Sequence, residues 1–244
     1  MIIDQRDLSL ICEKFTDENE LKAAVERVEN GEPLAYVLGE WYFYGLTFKL
    51  NGDCLIPRPD TEHIVESAIG LLPKGGRFID LCSGSGCIGI SVLHCRPDTE
   101  GDALEISPNA YSVSVENGES IGVSKRYHPV CGDLFRYEPS GKYDCVISNP
   151  PYIRSDVIPT LVSSVKDHEP LRALDGGESG MDFYRYRLKE YREHLADGGC
   201  FVFEIGYDQR EDITALAEEL GYGYCRVTKD YGGNDRVAII KRYE

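Results

Sequence analysis

The chain has 244 residues, 42% of them hydrophobic, which suits one large domain or a domain with a small appendage. Its formal net charge of −16 opposes a protein that grips long stretches of DNA or RNA, and leaves room for a protein partner with a basic face. Nine cysteines, an odd count, fit poorly with a closed disulfide framework, and with no C-x-x-C pair and no Cys/His cluster at zinc spacing no metal site is expected.

The opening "MIIDQRDLSLICEKF" lacks a basic segment followed by a long apolar one, so no signal peptide is expected. No run approaches the roughly 18 apolar residues of a membrane span, and the expected location is the cytoplasm. Residues 17–30 predict a helix: Leu21, Ala24, Val25 and Val28 share a face, Asp17 can cap the start, and Asn30-Gly31 ends it. The aromatic stretch "WYFYGLTFKLN" predicts a hairpin around Gly45, and Pro59 suits the first turn of a helix over 59–71.

From residue 77 strands and helices alternate. "RFIDLC", "DALEI", "YHPVCGD", "YDCVISN" and "GCFVFEIG" read as strands. Helices are expected from the glycine turn to about His94, over Pro108–Ser120, over "FYRYRLKEYREHLAD" up to Gly198-Gly199, and over "QREDITALAEELG". "YCRVTKD" and "RVAIIKRY" pair across "YGGND". This pattern implies an α/β fold with a mainly parallel sheet, helices on both faces and an antiparallel hairpin at one edge. The expected division is a helix-and-hairpin region over 1–54 and an α/β domain over 55–244.

Two features carry chemistry. In "IDLCSGSGCIGI" a buried strand ends at Asp80, and Gly84 and Gly86 permit a sharp turn into a helix N-terminus, where a nucleotide-like ligand can approach the backbone. Glu105 ends the next strand, 19 residues after Gly86, a spacing suited to a carboxylate that binds ribose hydroxyls. Gly84, Gly86 and Gly89 also satisfy the dinucleotide spacing, so the loop alone leaves NAD open beside S-adenosylmethionine. Asp133, after the third strand, is placed near the base.

The second feature is "CVISNPPYIRS", a buried strand ending in Asn149, Pro150, Pro151 and Tyr152. In open α/β sheets, ligands sit at the carboxyl ends of strands, so this corner should stand beside the glycine turn. The Asn149 side-chain carbonyl and the Pro150 backbone carbonyl can each accept one N–H of a planar NH2 group, while Tyr152 offers a flat face. Two acceptors would localise and aim the nitrogen lone pair. A sulfonium methyl is the natural electrophile for transfer that needs positioning more than a strong base.

Together, "GEPLAYVLGEWYFYGLTFKLN", "LIPRPDTEHIVE", "ALEISPNA", "SNPPYIRSD", "HEPLRALDGGESGMDFYR" and "DYGGNDRVAII" resemble the HemK/PrmC family, the release-factor glutamine methyltransferases, from about residue 17 to the end. The resemblance implies a class I S-adenosylmethionine-dependent fold: a Rossmann-like seven-stranded sheet with a C-terminal antiparallel hairpin. It implies methyl transfer from S-adenosylmethionine to the glutamine of the Gly-Gly-Gln motif of class 1 peptide-chain release factors. The enzyme would act as a monomer, without stable nucleic acid or membrane. Cofactor contacts would come from Asp80, Cys82, Ser83, Gly84, Ser85, Gly86, Glu105, Asp133, Leu134, Asn149, Arg58 and Thr61. Substrate contacts would come from Asn149, Pro150, Pro151, Tyr152 and Phe43, with Asn149, Pro150 and Tyr152 catalytic. The sequence departs from the family's pattern at Cys82, often Gly, at Tyr42, often acidic, and at Leu134, where some members carry Trp. Rival readings are a ribosomal-protein glutamine methyltransferase, an adenine-N6 methyltransferase of DNA or RNA, and a silent cofactor-binding scaffold.

Overall fold

The computed structural model describes residues 3–242. Three helices open the chain: α1 (Gln5–Lys14), α2 (Glu18–Glu29) and α3 (Leu34–Leu38). α2 is the expected one, and Asp17 caps it by accepting from the backbone N–H of Asn19 and Glu20 at 2.9 and 3.1 Å. α1 and α3 were not anticipated. α1 fully hides only Ile11 and so carries a faint apolar period; α3 is five residues long, too short to show one. β1 (Glu40–Phe43) and β2 (Leu46–Lys49) form the predicted hairpin. Tyr44 and Gly45 turn it with φ of 51° and 75°, the left-handed pair of a type I′ turn. A 3₁₀ turn over Pro59–Thr61 then leads into α4 (Glu62–Leu71).

The alternating region follows: β3 (Arg77–Leu81), α5 (Cys87–Cys95), β4 (Glu100–Glu105), α6 (Pro108–Ser120), β5 (Tyr127–Cys131) and β6 (Tyr143–Ser148). An irregular stretch containing the single turn α7 (Ser163–Lys166) leads to α8 (Asp182–Glu190). β7 (Leu195–Glu204), α9 (Arg210–Glu219), β8 (Tyr224–Lys229) and β9 (Asp235–Lys241) complete the chain. The seven-stranded sheet has the order β5-β4-β3-β6-β7-β9-β8. Its first five strands are parallel, and β9 runs antiparallel to both β7 and β8, as the sequence predicts.

One boundary differs from expectation. The helix expected to reach Gly198 stops at Glu190, a 3₁₀ turn covers Tyr191–His194, and β7 begins at Leu195. Leu195 pairs with Tyr143, and the ladder then resumes at Cys145 opposite Cys200. Gly198, at φ 76°, serves the irregularity between them rather than a helix end.

Alternation along each strand divides the core in two. Ile79, Leu81, Val146, Phe201 and Phe203 face one layer with α8 and α9; Phe78, Ile147 and Val202 face α4 and α5. All nine cysteines are free. Cys145 and Cys200 are buried as their apolar runs suggest, but Cys131 is exposed, because β5 is an edge strand. β3 lies between β4 and β6, so the order in which strands are added reverses there. A crevice opens over the carboxyl ends of β3 and β6 for that topological reason.

Candidate active site

A cavity of about 890 Å³ occupies this crevice, within the range of small-molecule sites. Its floor is the turn after β3, where Cys82, Ser83, Gly84 and Ser85 line it. Cys82 (φ 59°) and Gly84 (φ 54°) are both left-handed, a conformation that costs Gly nothing and a side chain about 1 kcal/mol. A Cβ placed on Gly84 would meet no protein atom within 4 Å, so the space above it belongs to the cavity. Glu105 pins the turn: Oε2 accepts from Gly84 N–H and Oε1 from Ser107 N–H, both at 2.8 Å, and the residue lines the cavity. The expected juxtaposition of turn and carboxylate is therefore present.

Two residues expected at the ligand lie beneath it. Asp80 is fully buried and accepts from Gly89 N–H at 2.9 Å, tying β3 to α5; burial pushes its carboxyl up to about 7. Gly86 (φ 79°) is packed from below: a Cβ there would come within 2.7 Å of Tyr127 Oη. Neither forms part of the cavity wall, because both sit on the helix side of the turn.

Asp133 and Leu134 line the far wall, and Asp133 Oδ1 accepts from Phe135 N–H at 2.9 Å. Sequence reasoning missed Phe135, whose half-exposed ring shares this wall. It supplies an aromatic face beside Leu134, where a Trp was wanting. Arg187, fully buried, donates to the Leu134 carbonyl and lies over the rings of Tyr186, Tyr191 and Phe135, which fixes this loop.

At the opposite end stands the proline corner. Asn149 and Pro151 line the cavity beside Arg58 and Thr61. Asn149 Nδ2 donates to Thr61 Oγ1 at 3.2 Å, and Thr61 Oγ1 donates to Glu204 Oε2 at 2.7 Å. The amide NH2 is thereby engaged, and no described residue donates to Asn149 Oδ1. Pro150 is buried and its side chain lines neither this cavity nor the next. Tyr152 lines an adjoining cavity of about 820 Å³ instead, with its hydroxyl donating to Glu204 Oε1 at 3.1 Å. Burial pushes the Tyr152 phenol well above its usual range, so it stays a protonated donor. Glu204 was not singled out by sequence reasoning, although it ends a strand just as Glu105 does.

Phe43 is a correction. It was expected to wall the substrate pocket, but it is 2% exposed and packs edge-on against Phe48 in the core below α4. The alternation of β1 turns it inward and leaves Tyr42 outward at 64% exposure. The cover of the cavity comes from Pro170–Ala173 and Asp175–Gly177 in the irregular stretch. Arg58 holds that cover through an ion pair with Glu169, whose side chain is 1% exposed. The two motifs "IPRPDTE" and "HEPLRAL" thus meet in space.

A family model described as "Methyltransferase small domain" matches residues 63–165. A protein of Fusobacterium nucleatum subsp. nucleatum named release factor glutamine methyltransferase is 37% identical over 94% of this chain, which spans 66% of that relative's length. Another of the same name from Agrobacterium fabrum is 36% identical, over 91% of this chain and 78% of the relative. Among solved structures, a methyltransferase from Pyrococcus furiosus superposes with a TM-score of 0.62 at 18% identity, covering 91% of this chain and all of that one. The fold is that of the class I S-adenosylmethionine-dependent methyltransferases. On sequence and architecture together, the chain belongs to the release factor glutamine methyltransferase family.

Proposed function

We propose that this protein transfers a methyl group from S-adenosylmethionine to the side-chain amide nitrogen of the glutamine in the Gly-Gly-Gln motif of class 1 release factors. The observation that carries the reading is Asn149, whose NH2 is engaged by Thr61 so that its carbonyl oxygen is left to accept beside the glycine turn. Family membership supplies the choice of acceptor.

The cavity residues fit the cofactor. The open space over Gly84, the Glu105 carboxylate and the wall at Leu134 and Phe135 match a turn for the amino-acid end, a ribose acceptor and a face for the base. When bound, S-adenosylmethionine supplies the sulfonium methyl as electrophile. Asn149 Oδ1 and the Pro150 carbonyl accept the two N–H bonds of the glutamine amide, and Pro150 and Pro151 hold those acceptors rigidly. Tyr152 anchors the corner through its hydroxyl's hydrogen bond to Glu204. The amide would need no prior deprotonation: as the carbon–nitrogen bond formed, the methyl–sulfur bond would break with S-adenosylhomocysteine as leaving group, and the nitrogen would then give its extra proton to water.

We also assign the region over 1–54 to the substrate side. The hairpin is joined to the turn by Asn117, which accepts from Lys49 N–H at 2.8 Å and donates to the Ser85 carbonyl at 2.9 Å. The −16 charge favours a protein acceptor over a nucleic acid. We further read the enzyme as a monomer acting in the cytoplasm; no helix among the described residues is long and apolar enough to cross a membrane. Incubating the protein with S-adenosylmethionine and a purified class 1 release factor should place one methyl group on the Gly-Gly-Gln glutamine, located by peptide mass spectrometry. A methyl group on any other residue would refute the assignment.

A further inference from the structure

Glu204 is 2% exposed at the carboxyl end of β7; it holds the Tyr152 end of the proline corner directly and the Asn149 end through Thr61. One oxygen accepts from Thr61 Oγ1 and the other from Tyr152 Oη. We propose that Glu204 is a positioning residue that sets the hydrogen-bond polarity of the acceptor corner, forcing Asn149 to present its carbonyl oxygen to the substrate amide.

An ionised carboxylate only accepts. Two hydroxyls converging on it must therefore both donate. A Thr61 hydroxyl whose proton points at Glu204 has only lone pairs left for Asn149, so it must accept, and the Asn149 group facing it must be Nδ2. The opposite end of that amide, Oδ1, is then turned to the substrate side. Each link dictates the next, and the chain begins at the carboxylate.

The surroundings keep the carboxylate in place. Tyr184 donates to the Glu204 backbone carbonyl at 2.6 Å. Burial pushes the Glu204 carboxyl up; the hydrogen bond from Thr61, the charge of Arg236 in the "GGNDR" segment and the hydrogen bond from Tyr152 all act in favour of the ionised form, and Arg236 is itself held by Asp230 at 3.1 Å and Asp60 at 3.5 Å. Asp60 and Thr61 are neighbours in "IPRPDTE", so that segment, the hairpin β8–β9 and the proline corner all meet at this one side chain.

Replacing Glu204 by Gln keeps size and shape but brings an NH2 group that can donate to Thr61. The Thr61 hydroxyl is then free to donate outward, and the Asn149 amide can flip to offer N–H to a substrate that also offers N–H. This rests on the methyl-transfer reading above, but one part of its test needs no acceptor. In wild type, the Asn149 side-chain NH2, observed by nitrogen-15 NMR, should exchange slowly with solvent; in Glu204→Gln its protection should fall at least tenfold. Unchanged protection would overturn the proposal, whatever the acceptor proves to be.

The kinetic arm uses the intact enzyme with a release factor. Glu204→Gln should lower kcat at least tenfold, while the dissociation constant for S-adenosylhomocysteine, by calorimetry, stays within about twofold. Thr61→Val should reproduce that loss, and Thr61→Ser, which keeps the hydroxyl, should recover most of it. The double variant Glu204→Gln with Thr61→Val should be no worse than either alone, since both break one chain. Losses that multiply, or a Thr61→Ser variant as impaired as Thr61→Val, would mean the two residues act separately and would overturn the proposal.

Discussion

At the scale of single residues, side chains that stand close together have separate duties. Asn149 should hold the acceptor and contribute little to cofactor binding. Asn149→Ala is expected to lower turnover a hundredfold or more while cofactor affinity, measured by calorimetry, changes only a few-fold. A parallel collapse of affinity would mean that its role is misassigned. Asp80 has the opposite profile, acting on the fold rather than the ligand. Its folded-state value of about 7 lies above the ordinary 3.8, so the folded protein holds a proton that the unfolded chain has lost. Stability should therefore fall as pH rises from about 4 to about 7, by on the order of a few kcal/mol. Asp80→Asn cannot titrate and should remove that slope. Melting curves of the two proteins taken between pH 5 and 8 should diverge, with the variant relatively more stable at the alkaline end; parallel curves would contradict it. Some of these residues were legible in the sequence and others were not. Glu105 was found because its spacing from the glycine turn has a chemical meaning. Glu204 ends a strand in the same way but has no such partner in sequence, since Thr61 is 143 residues away. Phe43 was misplaced because its motif was readable and the inward phase of its strand was not.

At the scale of elements, the alternating region could be read almost strand by strand, and α6 matched its expected bounds of Pro108–Ser120. Strands buried on both faces give continuous apolar runs bounded by Gly or Pro, and those signals are local. The irregular stretch between β6 and α8 offered none, because it is shaped by contacts from elsewhere. Its anchor is the Arg58–Glu169 ion pair. Removing the arginine leaves the buried Glu169 carboxylate without its ion-pair partner. Arg58→Ala should loosen the cover locally, so that trypsin cuts after Lys166 and Arg172 at least several-fold faster, with S-adenosylhomocysteine slowing the cleavage. Cleavage at the wild-type rate would show that the cover is held by other contacts.

At the scale of the whole molecule, a single cavity is assembled from segments as distant as Arg58, Glu105, Asn149 and Phe183. The sheet brings them together by reversing its strand order at β3, a topology that the strand–helix alternation implied before any contact was known. What the alternation could not supply is the acceptor, since the proline corner suits any planar NH2 group. The acidic surface bears on that choice. With a charge of −16, association with a basic protein should be steered electrostatically and weakened by salt. Raising ionic strength from about 0.05 to about 0.5 M should lower kcat/KM for the protein acceptor several-fold and leave cofactor affinity nearly unchanged; an increase in kcat/KM would argue against a basic partner. The most direct test of the central claim is transfer of labelled methyl from S-adenosylmethionine to three acceptors in parallel: a class 1 release factor, its Gly-Gly-Gln glutamine-to-alanine variant, and duplex DNA. The account predicts label on the first alone. Equal labelling of the alanine variant, or label on the DNA, would contradict it.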